Sequence, residues 1–298
     1  CRNHHLYTTN RFKSPIWKGT SMISLIRSEI YKISKQSKTL YALAAILIIE
    51  GFVFMSAYYQ GAGIIDLLLD NLKDSFEFRG NLLNGNLIIY LILNSLWFHI
   101  PLILMIIISG FLTSEYKDKT LETVMLQPVS KLYFILSKYI VSIAFTLLIV
   151  LILAVTTFFI SYWIFGYGDL VVYLDGLNFF KSDDAFYRLI YAFLSGSITM
   201  VFFSVVSLTL AVILKDATKT WIVSAIFLIC SNLLLKIDFR NEVINELFFS
   251  KLTDSWQYFF YYEIPYSTIY FKNFMLLGYS ILVMIIGVLI FKRRDIQG

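Results

Sequence analysis

Six apolar runs, separated by polar stretches of unequal length, set the pattern of this chain. They lie near 40–59, 87–112, 139–166, 189–214, 221–235 and 274–291, and together they hold one formal charge, Glu50. Most are long enough for a helix, rising about 1.5 Å per residue, to cross a hydrocarbon core of ~30 Å. The fifth run is short, and Lys219 and Lys236 at its ends extend its reach by snorkelling. The pattern predicts an all-α polytopic membrane protein with six transmembrane helices.

The stretches between the runs are patterned too. Over 22–38, Ile23, Ile26, Ile30 and Ile33 recur at intervals of three and four, opposite Arg27, Lys32 and Lys35. That spacing predicts an amphipathic helix suited to the membrane interface. In 113–138, Thr120 is placed as an N-cap, and Leu121, Val124 and Met125 form an apolar stripe. Pro128 ends that helix by pushing the preceding residue out of the helical region, and Ser130 then caps the third run. The first long loop, 60–86, carries Asp66, Asp70, Asp74 and Glu77, without the alternation and glycine of a calcium loop. The stretch 236–273 has twelve aromatic residues among 38, too charged to span and too apolar for a free loop. It is expected to form one or two short helices in or on the outer leaflet.

Composition agrees with the pattern: 58% of residues are hydrophobic and 15% charged, against about a quarter charged in soluble chains. The distribution of charge gives orientation. With the N-terminus inside, the stretches 22–39, 113–138, 215–220 and 292–298 hold 13 Lys and Arg in 57 residues, while 60–86, 167–188 and 236–273 hold 8 in 87. The positive-inside rule then puts both termini in the cytoplasm, and the Ile-, Lys- and Asn-rich composition points to a bacterial chain, expected in the plasma membrane. The net charge of +5 is read as basic flanks against anionic lipid, not as a nucleic-acid surface. Cys1 and Cys230 have no partner at disulfide or metal spacing. Residues 1–21 have two readings. Trp17-Lys18-Gly19 requires a purine-rich codon run just ahead of Met22, as a ribosome-binding site translated in frame would give; the other reading is a basic tail that includes His4 and His5.

Candidate chemistry is sparse. No G-x-x-x-x-G-K-[ST] loop is present to cradle ATP phosphates and no H-E-x-x-H to bind zinc, so neither an enzyme active site nor a metal site is expected in this chain. Glu50, the one acid in an apolar run, must be protonated, paired or facing a polar cavity, and is a candidate for a translocation path. Asn94 and His99 join it as candidates; both are also placed to satisfy backbone groups freed by Pro101. Ser195, Gly196, Ser197, Thr199, Ser204, Ser207 and Thr209 crowd the fourth run in the manner of close helix packing.

The segment from Phe111 to Lys138 adds a resemblance. Phe111, Glu115, Lys119-Thr120-Leu121-Glu122, Gln127-Pro128-Val129-Ser130 and Lys138 resemble the signature of the ABC type 2 transporter permeases. In that family Lys119 stands where glycine is common and Lys131 where arginine is. The tail Phe291-Lys292-Arg293-Arg294-Asp295-Ile296 resembles the family's closing motif. The resemblance covers about 22–298 and implies a six-helix permease domain (39–298) led by a connecting helix at 22–38, with re-entrant helices at 236–273. It implies a coupling helix at about 115–130, in which Glu115, Lys119, Thr120, Leu121, Glu122, Val124, Met125, Pro128 and Ser130 meet a separate P-loop ATPase subunit. ATP and Mg²⁺ would bind that subunit and no cofactor this one, with a second permease as homodimer or heterodimer partner. Export of an undefined substrate is the activity implied. Two other classes compete: an ion- or proton-coupled secondary transporter, and a non-transporting membrane sensor or immunity protein.

Overall fold

The computed structural model describes residues 21–69, 83–174 and 176–294. The readings of residues 1–20, of Asp70, Asp74 and Glu77, and of Asp295-Ile296 therefore lie outside the described residues. Ten α-helices are described: α1 (Met22–Lys35), α2 (Ser37–Leu69), α3 (Gly85–Lys117), α4 (Thr120–Met125), α5 (Lys131–Phe165), α6 (Ser182–Leu214), α7 (Ala217–Lys236), α8 (Glu242–Leu247), α9 (Phe249–Leu252) and α10 (Tyr266–Arg293). Strands β1 (Leu170–Tyr173) and β2 (Leu177–Phe180) lie between α5 and α6, and a 3-10 helix, Ser255–Phe260, precedes α10.

Six of these helices, α2, α3, α5, α6, α7 and α10, are long and apolar enough to cross a membrane. They match the six apolar runs in order, and the chain is a multi-pass membrane protein. The helices extend beyond the runs because their polar ends continue the backbone ladder. α10, for example, begins at Tyr266, eight residues before its apolar run. α2 does not stop at residue 60. It kinks at Gln60 (φ −122°, ψ 15°) and continues to Leu69.

α6 is the most buried of the six, and its small polar residues are the reason the others approach it closely. Ser204 meets Thr146 of α5 at 2.7 Å, Ser207 donates to the Met105 carbonyl of α3 at 2.5 Å, and Thr209 meets Tyr139 of α5 at 2.7 Å. At Gly196 the ring of Trp97 lies 1.7 Å from where a Cβ would stand, so α3 packs onto bare backbone. In an apolar surround such contacts replace the hydrophobic drive that lipid removes.

A short hairpin departs from the expected all-α fold. The β1–β2 hairpin pairs Leu170 with Phe180 and Tyr173 with Leu177. The aromatic stretch forms α8, α9 and the 3-10 helix, with Trp256, Phe259 and Phe260 buried against the bundle. Arg188 of α6 donates to the carbonyls of Phe259 and Tyr261 at 2.8 Å each, and its guanidinium lies 4.1 Å from the Phe180 ring centre. Ser195 reaches Ser255 at 3.1 Å, and Thr199 donates to the Thr253 carbonyl at 3.0 Å. Nearby, Lys272 Nζ donates to Tyr258 and lies 3.7 Å from Asp254, whose carboxyl is pushed up by burial.

Candidate functional site

The opposite end of the bundle gathers the charged residues that the apolar runs exclude. α1 presents Leu25, Glu29 and Ile33 to the protein at i, i+4 spacing. Of the apolar stripe read from the sequence, Ile23 and Ile30 stand 78% and 52% exposed, and the stripe that faces the bundle has an acid at its centre. α3 brings Glu115 in from its last turns, and α5 brings Lys138 in from its second.

These three helices meet in a four-residue ion cluster. Lys138 Nζ lies 2.8 Å from Glu29 and 3.0 Å from Glu115, and also donates to the Phe111 carbonyl at 2.8 Å. Lys32 closes the ring, 2.9 Å from Glu29 and 2.8 Å from Glu115. Two cations face two carboxylates, so burial leaves no uncompensated charge. The Lys138 side chain is fully enclosed, and Lys32 is the solvent-facing member. Burial alone would raise the Glu29 pKa, but the charges and hydrogen bonds of Lys138 and Lys32 hold it below the ordinary carboxylate value. For Lys32, burial lowers and the two carboxylates raise, and the carboxylates win.

α4 hangs from this cluster and is shorter than expected. It runs for six residues, and Glu115 lies on α3, not on the short helix. The cap is Lys119, in the left-handed region at φ 54° with no side-chain bond, and Thr120 is the first helical residue. Pro128 follows the helix end, and Ser130 occupies the cap position of α5, again with no side-chain cap bond. The apolar stripe faces inward. Leu121 is 2% exposed, and Val124 and Met125 pack against the same core. Outward stand Glu122, Thr123, Gln127, Pro128 and Leu126, the last 88% exposed. A cleft of about 430 Å³ runs between α1, α3 and α4, lined among others by Glu29, Lys32, Glu115, Asp118 and Thr123.

The closing motif completes the same end. Phe291 stacks on Phe134 of α5 at 5.7 Å. Arg294 donates to the carbonyls of Val212 and Ile213, the free C-terminal acceptors of α6, while Lys131 donates to the Arg294 carbonyl at 2.7 Å.

The three residues proposed for a path do not converge. Glu50 is 1% exposed and faces Thr156 and Thr157 of α5. Asn94 and His99 lie on an exposed face of α3, where Asn94 donates to the Tyr90 carbonyl and His99 Nδ1 contacts the Ser95 carbonyl, both at 2.9 Å. Neither reaches the carbonyl of residue 97, which Pro101 deprives of its donor. Glu29, Arg188 and Lys272 escaped sequence reasoning, and Lys32 enters there only as part of the polar face of the 22–38 helix. Glu29 alone left a readable trace, as an acid between Leu25 and Ile33 on one helical face.

The fold and the ion-clustered end define a class: a six-helix membrane protein with a short polar-faced helix held at one end. A family model described as a protein of unknown function (DUF2705) matches residues 73–297, and the chain belongs to that family. No curated protein matches it.

Proposed function

We propose that the chain is the permease subunit of an ATP-binding cassette exporter, lying in the bacterial plasma membrane with both termini and α4 in the cytoplasm. The observation that carries this reading is the ion cluster. It ties α1, the end of α3 and the start of α5 to one point, and α4 is the link between α3 and α5. A push on α4 therefore reaches both flanking spans as a tilt, which is what a subunit driven from outside the membrane needs. A separate P-loop ATPase would bind ATP and Mg²⁺ and dock on α4, and a second permease would complete the assembly. Ile23, Ile30 and Tyr31 of α1 would rest against lipid headgroups, and the aromatic helices against the outer leaflet.

The contact surface on α4 is its outward face, centred on Leu126. Leu121 belongs to the permease core. The test is co-purification with a P-loop ATPase encoded beside this chain. Leu126→Asp should release the ATPase and leave the permease inserted and folded, whereas Leu121→Asp should reduce folded protein. Wild-type permease that binds no such ATPase, or Leu126→Asp that binds it at wild-type level, overturns the proposal.

A further inference from the structure

Glu50 is the one acid inside the six apolar runs, and its polar neighbours lie on a single helix. Its carboxyl contacts two hydroxyls of α5: Thr157 Oγ1 at 2.6 Å from Oε1, and Thr156 Oγ1 at 2.9 Å from Oε2 and 3.2 Å from Oε1. Thr156 Oγ1 also lies 3.0 Å from the carbonyl oxygens of both Ile152 and Leu153. Hydrogens must be counted here. Thr157 has one and gives it to Oε1. Thr156 has one as well, and a helical threonine ordinarily gives it back to a carbonyl of the preceding turn. The Oε2–Oγ1 contact then needs a hydrogen from the carboxyl itself.

No cation offers an alternative. The helices packed on α2 are α1, α3 and α5. Among the described residues, the charged groups of those helices are Arg27, Glu29, Lys32, Lys35, Glu115, Lys117, Lys131 and Lys138. Glu29, Lys32, Glu115 and Lys138 pair with one another, Lys131 donates to the Arg294 carbonyl, and none forms an ion pair with Glu50. Lys138 is also eighteen residues before Thr156, about 27 Å along α5 at the helical rise. Tyr90 and His99 of α3 and Tyr139 and Tyr162 of α5 are titratable, yet the side-chain hydrogen bonds to Glu50 come from Thr156 and Thr157. A carboxylate buried with two neutral donors and no counter-charge is costly, and taking up a proton removes that cost. The oxygens already touch, which leaves no volume among them for a metal ion.

We propose that Glu50, Thr156 and Thr157 form a proton-binding site that clamps α2 to α5, with the carboxyl carried as the neutral acid at neutral pH. Thr157 donates to Oε1, Oε2–H donates to Thr156, and Thr156 donates to its own helix. Parting α2 from α5 exposes the acid to water, and the proton leaves to solvent. This inference does not rest on the transporter reading.

Infrared spectroscopy of the purified protein at pH 7 tests it. Wild type should show a protonated-carboxyl C=O band that Glu50→Gln removes and Thr157→Val shifts, and Glu50→Gln should keep the wild-type melting temperature, since its amide reproduces both hydrogen bonds. Wild-type and Glu50→Gln spectra with the same protonated-carboxyl intensity would overturn the proposal. So would a Glu50 band that disappears when sodium chloride replaces choline chloride, which would mark a metal-ion site instead. If the Gln variant does not fold, the band shift in Thr157→Val decides the matter alone.

Discussion

At the scale of single residues, Lys119 shows how a backbone angle accounts for a deviation from pattern. It stands where the resembling family commonly has glycine, and its φ of 54° lies in the region that glycine enters without strain. An L-residue there costs about 1–2 kcal/mol. Lys119→Gly should recover part of this, raising thermal stability by roughly 0.5–1 kcal/mol, offset in part by the added freedom of the unfolded chain. A melting curve against wild type checks it, and a destabilised variant would mean that the lysine side chain has work of its own. Residue scale is also where sequence reading fell short. Leu121 and Leu126 are equivalent in hydrophobicity and only five positions apart, yet one is core and the other, the C-cap of α4, stands 88% exposed. In a helix of six residues a stripe cannot say which side is inside. Only the position of α3 and α5 decides that.

At the scale of elements, the spans were legible because twenty-odd apolar residues have one use in a chain of this composition. The β1–β2 hairpin was legible in principle and missed: Asp175-Gly176 stands between Leu-Val-Val-Tyr and Leu-Asn-Phe-Phe, a strong short hairpin signal. The ion cluster was not legible, since its members are 29, 32, 115 and 138 in sequence and meet only after three helices pack. It supports a prediction about pH. Glu29 has a depressed pKa in the fold, so its contribution is present above its unfolded value and is lost as pH falls through the folded one. Lys32 has a raised pKa, so its contribution is present below the unfolded value and is lost as pH rises through the folded one. Stability from the cluster should thus be flat through neutrality and fall in acid, below the ordinary carboxylate range. Lys138→Met leaves two buried carboxylates with Lys32 alone and should cost about 3–5 kcal/mol, measured by denaturation in detergent. Loss of the acid-side slope in Glu29→Gln, with wild-type slope at alkaline pH, would assign it to this residue.

At the scale of the whole molecule, the bundle has two unlike ends. One carries the ion cluster, α4 and Arg294; the other carries the hairpin and the aromatic helices. In the orientation proposed from the charge asymmetry, the first end faces the cytoplasm. Single cysteines at Tyr173 and Tyr262, both exposed, should react with an impermeant thiol reagent added to intact cells, in a background with Cys1 and Cys230 removed. Cysteines at Leu126 and Lys292 should react only after the cells are opened. The reverse result would invert the molecule in its membrane and with it the proposed docking of an ATPase.

The aromatic segment is moored to three spans. Beside its ties to α6, Lys251 donates to the Leu235 carbonyl of α7, and Lys272 and Tyr279 of α10 donate to the Lys251 and Leu247 carbonyls. The ties on α6, Arg188, Ser195 and Thr199, fall at i, i+7 and i+11, one side of one helix over about 16 Å. The same helix is gripped at its other end by Arg294 and along its length by α3, α5 and α10. The aromatic helices thus form a strap across three spans, with α6 the central one. Rotation of α6 against α7 or α10 must break or stretch some of these ties, so the aromatic segment fastens the three spans to one another at the hairpin end.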